Sequence, residues 1–356
     1  MDDELKIMEK GKGRKGEEGK PKASASSPYF LQPFTIPFVV QPKSEIRADL
    51  TKLPVTMFEQ WQEKHFVFDE QYFEYVAEKL ELLECHPELN HVYAKDCDEA
   101  ALFQSVKVIF QKLAAEYPEY VLHEDEMVIL FLLGVKLNLE SLEVQRVASP
   151  FPHTLELTEN VFNHLQSQQG ARRIWDALAL AVQEDLVIMC DDEEMGVSEL
   201  MHVCFPSHWN PGERVGQSLY ALHEPVANNE QLLKASKNTL LAMVNKGPFV
   251  RFVWSLNSTD ELNLNPIFHT HGRKKPLDDD PSQWFFRVER QTTLPMPELQ
   301  RSLFTIRIFV APLPSVLNDE RKKRLEESVL SMTEELLTYK GLITKKDVLL
   351  EYLRST

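Results

Sequence analysis

Leu303-Phe304-Thr305-Ile306-Arg307-Ile308-Phe309-Val310 is the stretch that decides the fold. Every even-numbered position from 304 to 310 is apolar, while Thr305 and Arg307 lie between them. Alternation with a period of two is the pattern of a strand with one face in a core. We therefore predict a strand over Leu303–Val310, and a second one over Trp284–Gln291 just before it.

The second strand has an unusual charge content. Its alternate positions form two sets, Arg287, Glu289 and Gln291 on one face and Phe286, Val288 and Arg290 on the other. Charged side chains among apolar neighbours need partners, because an unpaired buried charge is costly. A solvent-exposed face with local ion pairs gives the same pattern, so the strand alone does not identify a site.

Periodicity, proline and glycine predict the other elements. We predict helices over Met57–Leu83, Glu99–Tyr117, Asn160–Gln168, Arg172–Asp185, Asn229–Asn245, Leu317–Tyr339 and Lys345–Leu353, and strands over Leu186–Met189, Leu200–Phe205 and Phe249–Leu256. This order, helices, then short strands, then helices, indicates an α+β fold with a mostly antiparallel sheet.

The domain prediction is one domain over 29–356. Its helical part covers about 55–185, its sheet-rich part about 186–312, and its C-terminal helices 315–354. Residues 1–28 contain seven Lys or Arg, six Asp or Glu, four glycines and no aromatic residue. Such a segment cannot bury enough apolar surface to offset its ordering entropy, so we expect a disordered polar tail.

Composition excludes several classes of protein. The 356 residues carry a net charge of −16, which repels phosphate backbones and anionic lipid, so nucleic-acid and membrane partners are not expected. Four cysteines without Cys-x-x-Cys spacing indicate free thiols. The start of the chain does not resemble a secretory signal, and the longest uncharged apolar run, Met127–Val135, is too short to span a bilayer. We expect a cytoplasmic protein.

Common catalytic motifs are absent from the sequence, including Gly-x-Gly-x-x-Gly, the Walker loop and Gly-x-Ser-x-Gly. His269 and His271 form a possible metal pair, although their basic, proline-ended surroundings favour a polar loop. His223, between an apolar run and a proline, fits a hydrogen-bonded core histidine as well as a ligand. Cys204 by itself fits a buried, inert thiol.

Several segments in order resemble one known family. They are Gln183–Leu186, His202–Trp209, Glu213–Gly216, Leu222–Val226, Arg251–Ser255, Arg287–Thr292 and Leu303–Arg307. Together they resemble the haem-dependent oxidative N-demethylase alpha-subunit-like family, over roughly residues 30–340. The resemblance implies a PAS-like fold, a mostly antiparallel sheet flanked by helices, that carries haem b. It also implies a monooxygenase that demethylates a small methylated amine and releases formaldehyde. A separate flavin and iron–sulfur reductase would supply electrons from NADPH.

The resemblance also implies which residues hold the haem. The family's His-x-Pro-Val motif falls on His223, which becomes the candidate axial ligand of the iron, with the Cys204 thiolate as the alternative. Haem propionates need cations, and Arg251, Arg290 and Arg307 are the arginines on family motifs.

The substrate, a protonated amine, needs a carboxylate or an aromatic face. Glu289 with Trp254 or Trp209 would supply both. We therefore take Glu289 and Trp254 as the candidate catalytic residues.

Departures from the family pattern support two other hypotheses. Arg214, Val253 and Ala227 stand where the family usually has Lys, Asn and Pro, which fits a haem-binding sensor or a catalytically degenerate paralogue. The long terminal helices and the charged tail fit a haem-free interaction scaffold.

Overall fold

A seven-stranded antiparallel sheet organises the fold. The computed structural model describes residues 31–44, 50–151, 154–191, 196–224, 230–268 and 275–355. The strands are β1 (Thr51–Lys52), β2 (Val55–Met57), β3 (Gln60–Gln62), β4 (His91–Tyr93), β5 (Val121–Glu124), β6 (Met127–Leu130), β7 (Val135–Asn138), β8 (Val144–Arg146), β9 (Asp185–Cys190), β10 (Val197–His202), β11 (Phe249–Asn257), β12 (Phe285–Met296) and β13 (Arg301–Pro312).

Helices precede, interrupt and follow the strands of this sheet. They are α1 (Tyr72–Cys85), α2 (Pro87–Asn90), α3 (Glu99–Glu116), α4 (Leu155–Ser167), α5 (Gly170–Ala181), α6 (Pro211–Arg214), α7 (Leu219–His223), α8 (Glu230–Asn245), α9 (Leu313–Val316), α10 (Asp319–Leu330), α11 (Glu334–Lys340) and α12 (Lys346–Ser355). The predicted α+β class, a mostly antiparallel sheet flanked by helices, is confirmed.

The long hairpin of β12 and β13 is the centre of the sheet. The strand order is β1-β11-β12-β13-β9-β10-β4, and every neighbouring pair is antiparallel. Both hairpin strands are longer than predicted, since β12 continues through Pro295, which faces Ser302 on β13. β11 pairs with β12 only as far as Thr293. Pro295 therefore lies where β12 has one neighbour, a position that tolerates proline.

The helix predicted over Met57–Leu83 is wrong in its first half. The hairpin of β2 and β3 turns at Phe58 and Glu59, both with positive φ. The segment 62–69, which we call the strap, begins at the last residue of β3 and is otherwise irregular before α1 begins at Tyr72. Distant side chains fix the strap backbone: the Glu116 carboxylate accepts from His65 N at 3.0 Å. Local periodicity cannot reveal such contacts.

The part predicted as helical, about 55–185, also contains a second sheet. Strands β5, β6, β7 and β8 form a four-stranded antiparallel meander. The uninterrupted apolar run Met127–Val135 includes β6, the first residue of β7 and the turn between them, where Gly134 has a φ of 65°. Because the turn is as apolar as the strands, the period of two is hidden.

Capping residues define several helix boundaries. Asp98 accepts from Ala101 N at 3.0 Å and starts α3, as the predicted boundary required. The single helix predicted over Leu317–Tyr339 is instead α10 and α11, because Thr333 caps a new helix through Leu336 N.

Two apolar cores cover opposite faces of the sheet. The larger one includes Phe286, Val288 and Phe309 with the C-terminal helices, and the smaller one packs Val187 and Met201 against α7 and α8. Among the described residues, none of the helices combines the length and apolar composition needed to cross a bilayer. The tail 1–28, the pair His269 and His271, and Ala227 lie outside the described residues.

Candidate functional site

The register of the sheet separates the predicted site residues into two groups. Side chains alternate along a strand, and cross-strand partners share a face. Val288 pairs with Trp254, and Arg290 pairs with Arg307, whereas Glu289 pairs with Val253. Trp254, Arg290 and Arg307 therefore share one face, which we call the strap face because the strap covers it. Glu289 and Arg251 lie on the other, which we call the Glu289 face.

On the strap face, the protein itself holds Arg290. Its Nε donates to Gln62 Oε1 at 2.8 Å, its Nη1 to His65 O at 2.8 Å and its Nη2 to Lys64 O at 2.5 Å. The side chain is 2% exposed. All three nitrogens are committed to the strap, so this arginine does not reach the face that carries Glu289.

Arg307 is held in a similar way. Its Nη2 donates to Asp69 Oδ2 at 2.7 Å and its Nη1 to Ile308 O at 2.5 Å. The guanidinium carbon lies 4.0 Å from the centre of the Tyr75 ring. Arg290 and Arg307 therefore lie on the face opposite Glu289, as the adjacency of Glu289 and Arg290 along one strand implies, and their guanidinium groups already have partners in the protein.

Trp254 is also separated from Glu289. Its ring lies in the larger core, 6.0 Å from the Phe286 ring. Lys340 Nζ lies 4.2 Å from the ring centre and donates to Trp254 O at 2.7 Å. The strand alternation that places Val253 beside Glu289 necessarily turns Trp254 away, which corrects the predicted pairing. Trp209 packs against the smaller core, on the Glu289 side of the sheet.

Glu289 has both carboxylate oxygens hydrogen-bonded. Ser207 Oγ donates to Oε1 at 2.5 Å and Gln291 Nε2 donates to Oε2 at 2.7 Å. Arg251 Nε donates to Gln291 Oε1 at 2.5 Å, and Arg287 Nε donates to Ser207 Oγ at 3.0 Å. Each neutral residue thus connects an arginine to the carboxylate, which fixes the direction of every hydrogen bond in the row.

The two arginines of this row differ in how many of their guanidinium nitrogens already donate hydrogen bonds to the described residues. Arg287 Nη2 also donates to the carbonyls of Phe205 and Leu262, at 3.0 and 2.9 Å. Arg251 is half-buried, and its Nη1 and Nη2 make no hydrogen bond to the described residues. Its two outer nitrogens are therefore the donors on this face that suit an added carboxylate.

His223 ends the short helix α7. Ser218 Oγ starts this helix by accepting from Ala221 N at 3.2 Å. His223 Nδ1 donates to Leu219 O at 2.7 Å, which places the lone pair of the neutral ring on Nε2. Burial, with the Arg251 charge as a second cause, lowers the pKa of His223 to about 4. The imidazole is therefore neutral near pH 7, as a metal ligand must be.

Cys204 has a different environment. It is fully buried, and its backbone N donates to Asp185 Oδ1 at 2.8 Å. Burial, with the Asp185 charge, raises the pKa of its thiol well above the usual value. The protonated thiol that results is a poor ligand.

Sequence reasoning missed Ser207 and Gln291 as site residues. Gln291 lies two residues after Glu289 and so shares its face, a signal that was available. Next to Ser207, His208 has a φ of 65°, which is rare for a residue with a side chain, and its Nε2 lies 3.4 Å from Asn257 Oδ1. Neither feature is visible in the sequence.

Comparison with known families gives one match. Residues 57–350 match the family described as haem-dependent oxidative N-demethylase, alpha subunit-like. The comparison with curated proteins found no match. The match covers the strands from β3 to β13, the strap and the helix of His223, and it confirms the resemblance seen in the motifs. Because it spans most of the chain, the protein belongs to the haem-dependent oxidative N-demethylase, alpha subunit-like family.

Proposed function

We propose that this protein is a haem-dependent monooxygenase that demethylates a small methylated amine and releases formaldehyde. In this proposal the cofactor is haem b in a PAS-like fold. A separate flavin and iron–sulfur reductase transfers electrons from NADPH in the cytoplasm. Membership of the family supports haem dependence. The row of polar residues on the Glu289 face supports the substrate class.

The residues on the Glu289 face fit a haem. His223 would hold the iron through Nε2, because its tautomer is fixed by Leu219 O and its pKa of about 4 keeps it unprotonated. A hydrogen bond from the far nitrogen of the ring is the usual outer contact of a metal-bound histidine. Cys204, held as a thiol, is the less suitable ligand.

Arg251 would hold a propionate. Its Nε is already fixed by Gln291 Oε1, so the guanidinium is oriented before any ligand arrives. Two parallel donors on Nη1 and Nη2 match a carboxylate. Arg290 and Arg307 have a different role in this proposal: they fix the strap on the sheet.

When bound, the haem supplies dioxygen activation. The chain supplies the amine site. The Glu289 carboxylate attracts an alkylammonium ion, and the hydrogen bonds from Ser207 and Gln291 keep the carboxylate from rotating. Trp209, on the same side of the sheet, would cover the methyl groups. Fixing both oxygens before binding lowers the entropic cost of orienting the substrate.

The observation that carries the proposal is that His223, Arg251 and Glu289 belong to one side of the sheet. Charge coupling between His223 and Arg251, and the bonds from Arg251 through Gln291 to Glu289, connect them. A haem on this side would therefore have His223 as iron ligand and Arg251 as the donor to a propionate, with Glu289 nearby to bind the amine.

The test is an absorption spectrum of the reconstituted protein, oxidised and reduced, with and without CO. We expect a Soret band that His223→Ala abolishes or strongly weakens. The control is His123→Ala, which changes a histidine of β5 in the second sheet and should leave the band unchanged. A wild-type protein without a Soret band contradicts the proposal. If Cys204→Ser loses the band and His223→Ala keeps it, the thiolate is the ligand.

A second function, haem-based sensing without turnover, is favoured by Val253. This residue pairs with Glu289 across β11 and β12 and is 37% exposed, and it stands where the family usually has an asparagine. An apolar side chain there removes an amide from the amine site. Haem binding combined with NADPH oxidation that no methylamine stimulates, in the presence of a competent reductase, would identify a sensor.

A further inference from the structure

Asp176, in the middle of α5, is a completely buried carboxylate surrounded by histidines. His91 Nδ1 and His202 Nε2 both lie near its Oδ1, at 2.7 and 3.1 Å. The other oxygen, Oδ2, accepts from His164 Nε2 at 3.0 Å and from Arg172 Nε at 3.4 Å. The carboxylate therefore has one oxygen shared by two imidazoles and a second oxygen held by two other donors.

The two histidines near Oδ1 come from paired strands. His91 on β4 is the direct cross-strand partner of His202 on β10, and their ring centres are 4.7 Å apart. They lie on the strap face of the sheet, not on the face of Glu289. Ligand atoms of His91, Asp176 and His202 all lie within 4.8 Å of one another, and the three residues are at most 4% exposed.

These distances suit a small divalent ion. Zinc binds imidazole nitrogen and carboxylate oxygen at about 2.0–2.2 Å, which places neighbouring ligand atoms about 3.3 Å apart in a tetrahedral site. The observed separations of 2.7 and 3.1 Å reach that value with shifts of a few tenths of an ångström. Two neutral imidazole nitrogens and one carboxylate form a ligand set that suits zinc, whereas calcium and magnesium prefer sites made of oxygen ligands.

Outer contacts are in place for two of the three ligands. His164 and Arg172 fix the second oxygen of Asp176, and Tyr93 OH lies 2.9 Å from His91 Nε2. Such contacts orient metal ligands in known sites. His202 Nδ1 is buried and makes no hydrogen bond to the described residues, so hydrogen bonding alone leaves this ring incompletely satisfied.

We propose that His91, Asp176 and His202 bind a zinc ion that stabilises the fold, on the face of the sheet opposite the haem site. Because the three ligands come from β4, α5 and β10, the ion would link the edge strands of the sheet to helix α5. Because the ligands are buried, the ion would be incorporated as the chain folds, and its binding free energy would become folding free energy. The site does not depend on the proposed function.

The experiment compares the full-length protein purified from zinc-supplemented and cobalt-supplemented cultures, so that metal is present while the chain folds. We expect about one zinc per chain by elemental analysis, and visible absorption bands of tetrahedral Co²⁺ in the second preparation. His202→Gln and Asp176→Asn should lose both signals. His164→Gln, which changes an outer contact, should keep the Co²⁺ bands with an affinity lowered about 10–100-fold.

The control is His223→Ala, which should keep its zinc whatever happens to the haem. Wild-type protein without zinc or Co²⁺ bands overturns the proposal and leaves Asp176 as a hydrogen-bonded centre. Co²⁺ bands that persist in His202→Gln overturn it as well, because the ion would then lie elsewhere. If Asp176→Asn does not fold, the wild-type metal content and the His202→Gln spectrum still decide.

Discussion

Arg290 and Arg251 lie on neighbouring strands of one sheet, yet the protein treats their guanidinium groups differently. On the strap face, all three nitrogens of Arg290 donate to Gln62 and to two backbone carbonyls. On the Glu289 face, Arg251 donates through Nε alone to the described residues. An arginine whose nitrogens all donate to protein acceptors stabilises the fold, whereas an arginine with further N–H donors can bind a ligand.

The largest expected effect is on the strap face. Arg290→Met keeps much of the side-chain length but removes three hydrogen bonds, to Gln62 Oε1, His65 O and Lys64 O, so we expect a loss of about 4 kcal/mol in the free energy of unfolding. Arg251→Met, the matched control, should lose less than about 1 kcal/mol because one hydrogen bond disappears from a half-buried site. Urea unfolding followed by circular dichroism measures both. Equal losses would remove the contrast between the two faces.

The second effect concerns turnover on the Glu289 face. Glu289→Gln removes the charge and keeps the shape, so we expect kcat/KM for the amine to fall about a hundredfold, or about 2.7 kcal/mol, with haem and fold retained. Glu261→Gln, an exposed glutamate in the loop before β12, is the control. A fully active Glu289→Gln variant would show that the carboxylate does not orient the substrate.

The third effect is the loss of stability in acid, which we expect from the Glu116 carboxylate that binds the strap backbone. Burial alone would raise the pKa of Glu116, but hydrogen bonds and charge from His65, with a contribution from Lys112, lower it from 4.5 to about 2. A carboxylate with a depressed pKa contributes stability that is full above pH 4.5 and is lost as the pH falls from 4.5 towards 2.

Between pH 6 and pH 3 this acid effect is about 2 kcal/mol, because about 1.5 units of the pKa depression lie above pH 3 and each unit corresponds to about 1.4 kcal/mol. The measurement is the unfolding free energy of wild type and Glu116→Gln between pH 3 and pH 6. The variant should be less stable at pH 6 and should show a flatter pH profile. Parallel curves would mean that Glu116 does not hold the strap.

The smallest expected effect concerns Val253, which pairs with Glu289 at the edge of the proposed amine site. Val253→Asn restores the amide that the family usually has beside Glu289. Since Val253 is 37% exposed, the change should cost at most about 1 kcal/mol of stability, mainly through lower β-propensity. Methylamine-stimulated NADPH oxidation that rises in this variant would favour the sensor or degenerate interpretation of the wild type. Unchanged turnover would show that the position does not matter.

The hairpin of β12 and β13 was predictable because its chemistry is local. Alternating apolar residues over 303–310 gave the strand, and the adjacency of Glu289 and Arg290 implied opposite faces. The need of buried charges for partners was also predictable, and Arg287 is indeed bonded to Ser207 and to backbone carbonyls. Family motifs supplied His223 as the candidate iron ligand.

The rest depends on contacts that a single sequence does not display. Nothing local indicates that Arg290 binds the strap or that Asp176 gathers three histidines, because each partner comes from a distant segment. The register of β11 decided whether Val253 or Trp254 accompanies Glu289, and a shift of one residue reverses that result. Pairing registers follow from the whole sheet, not from one strand.

The strap also constrains how the chain is made. Arg290 is separated from its carbonyl acceptors at His65 and Lys64 by 225 and 226 residues. At ribosomal rates of about 5–20 residues per second, the strap is synthesised roughly 10–45 s before the arginine that holds it. During that interval the strap residues Phe66 and Phe68, which are buried in the folded protein, already exist while β12 does not. The N-terminal half is therefore expected to depend on chaperones until β12 appears, and slowing translation before residue 285 should increase aggregation of nascent chains.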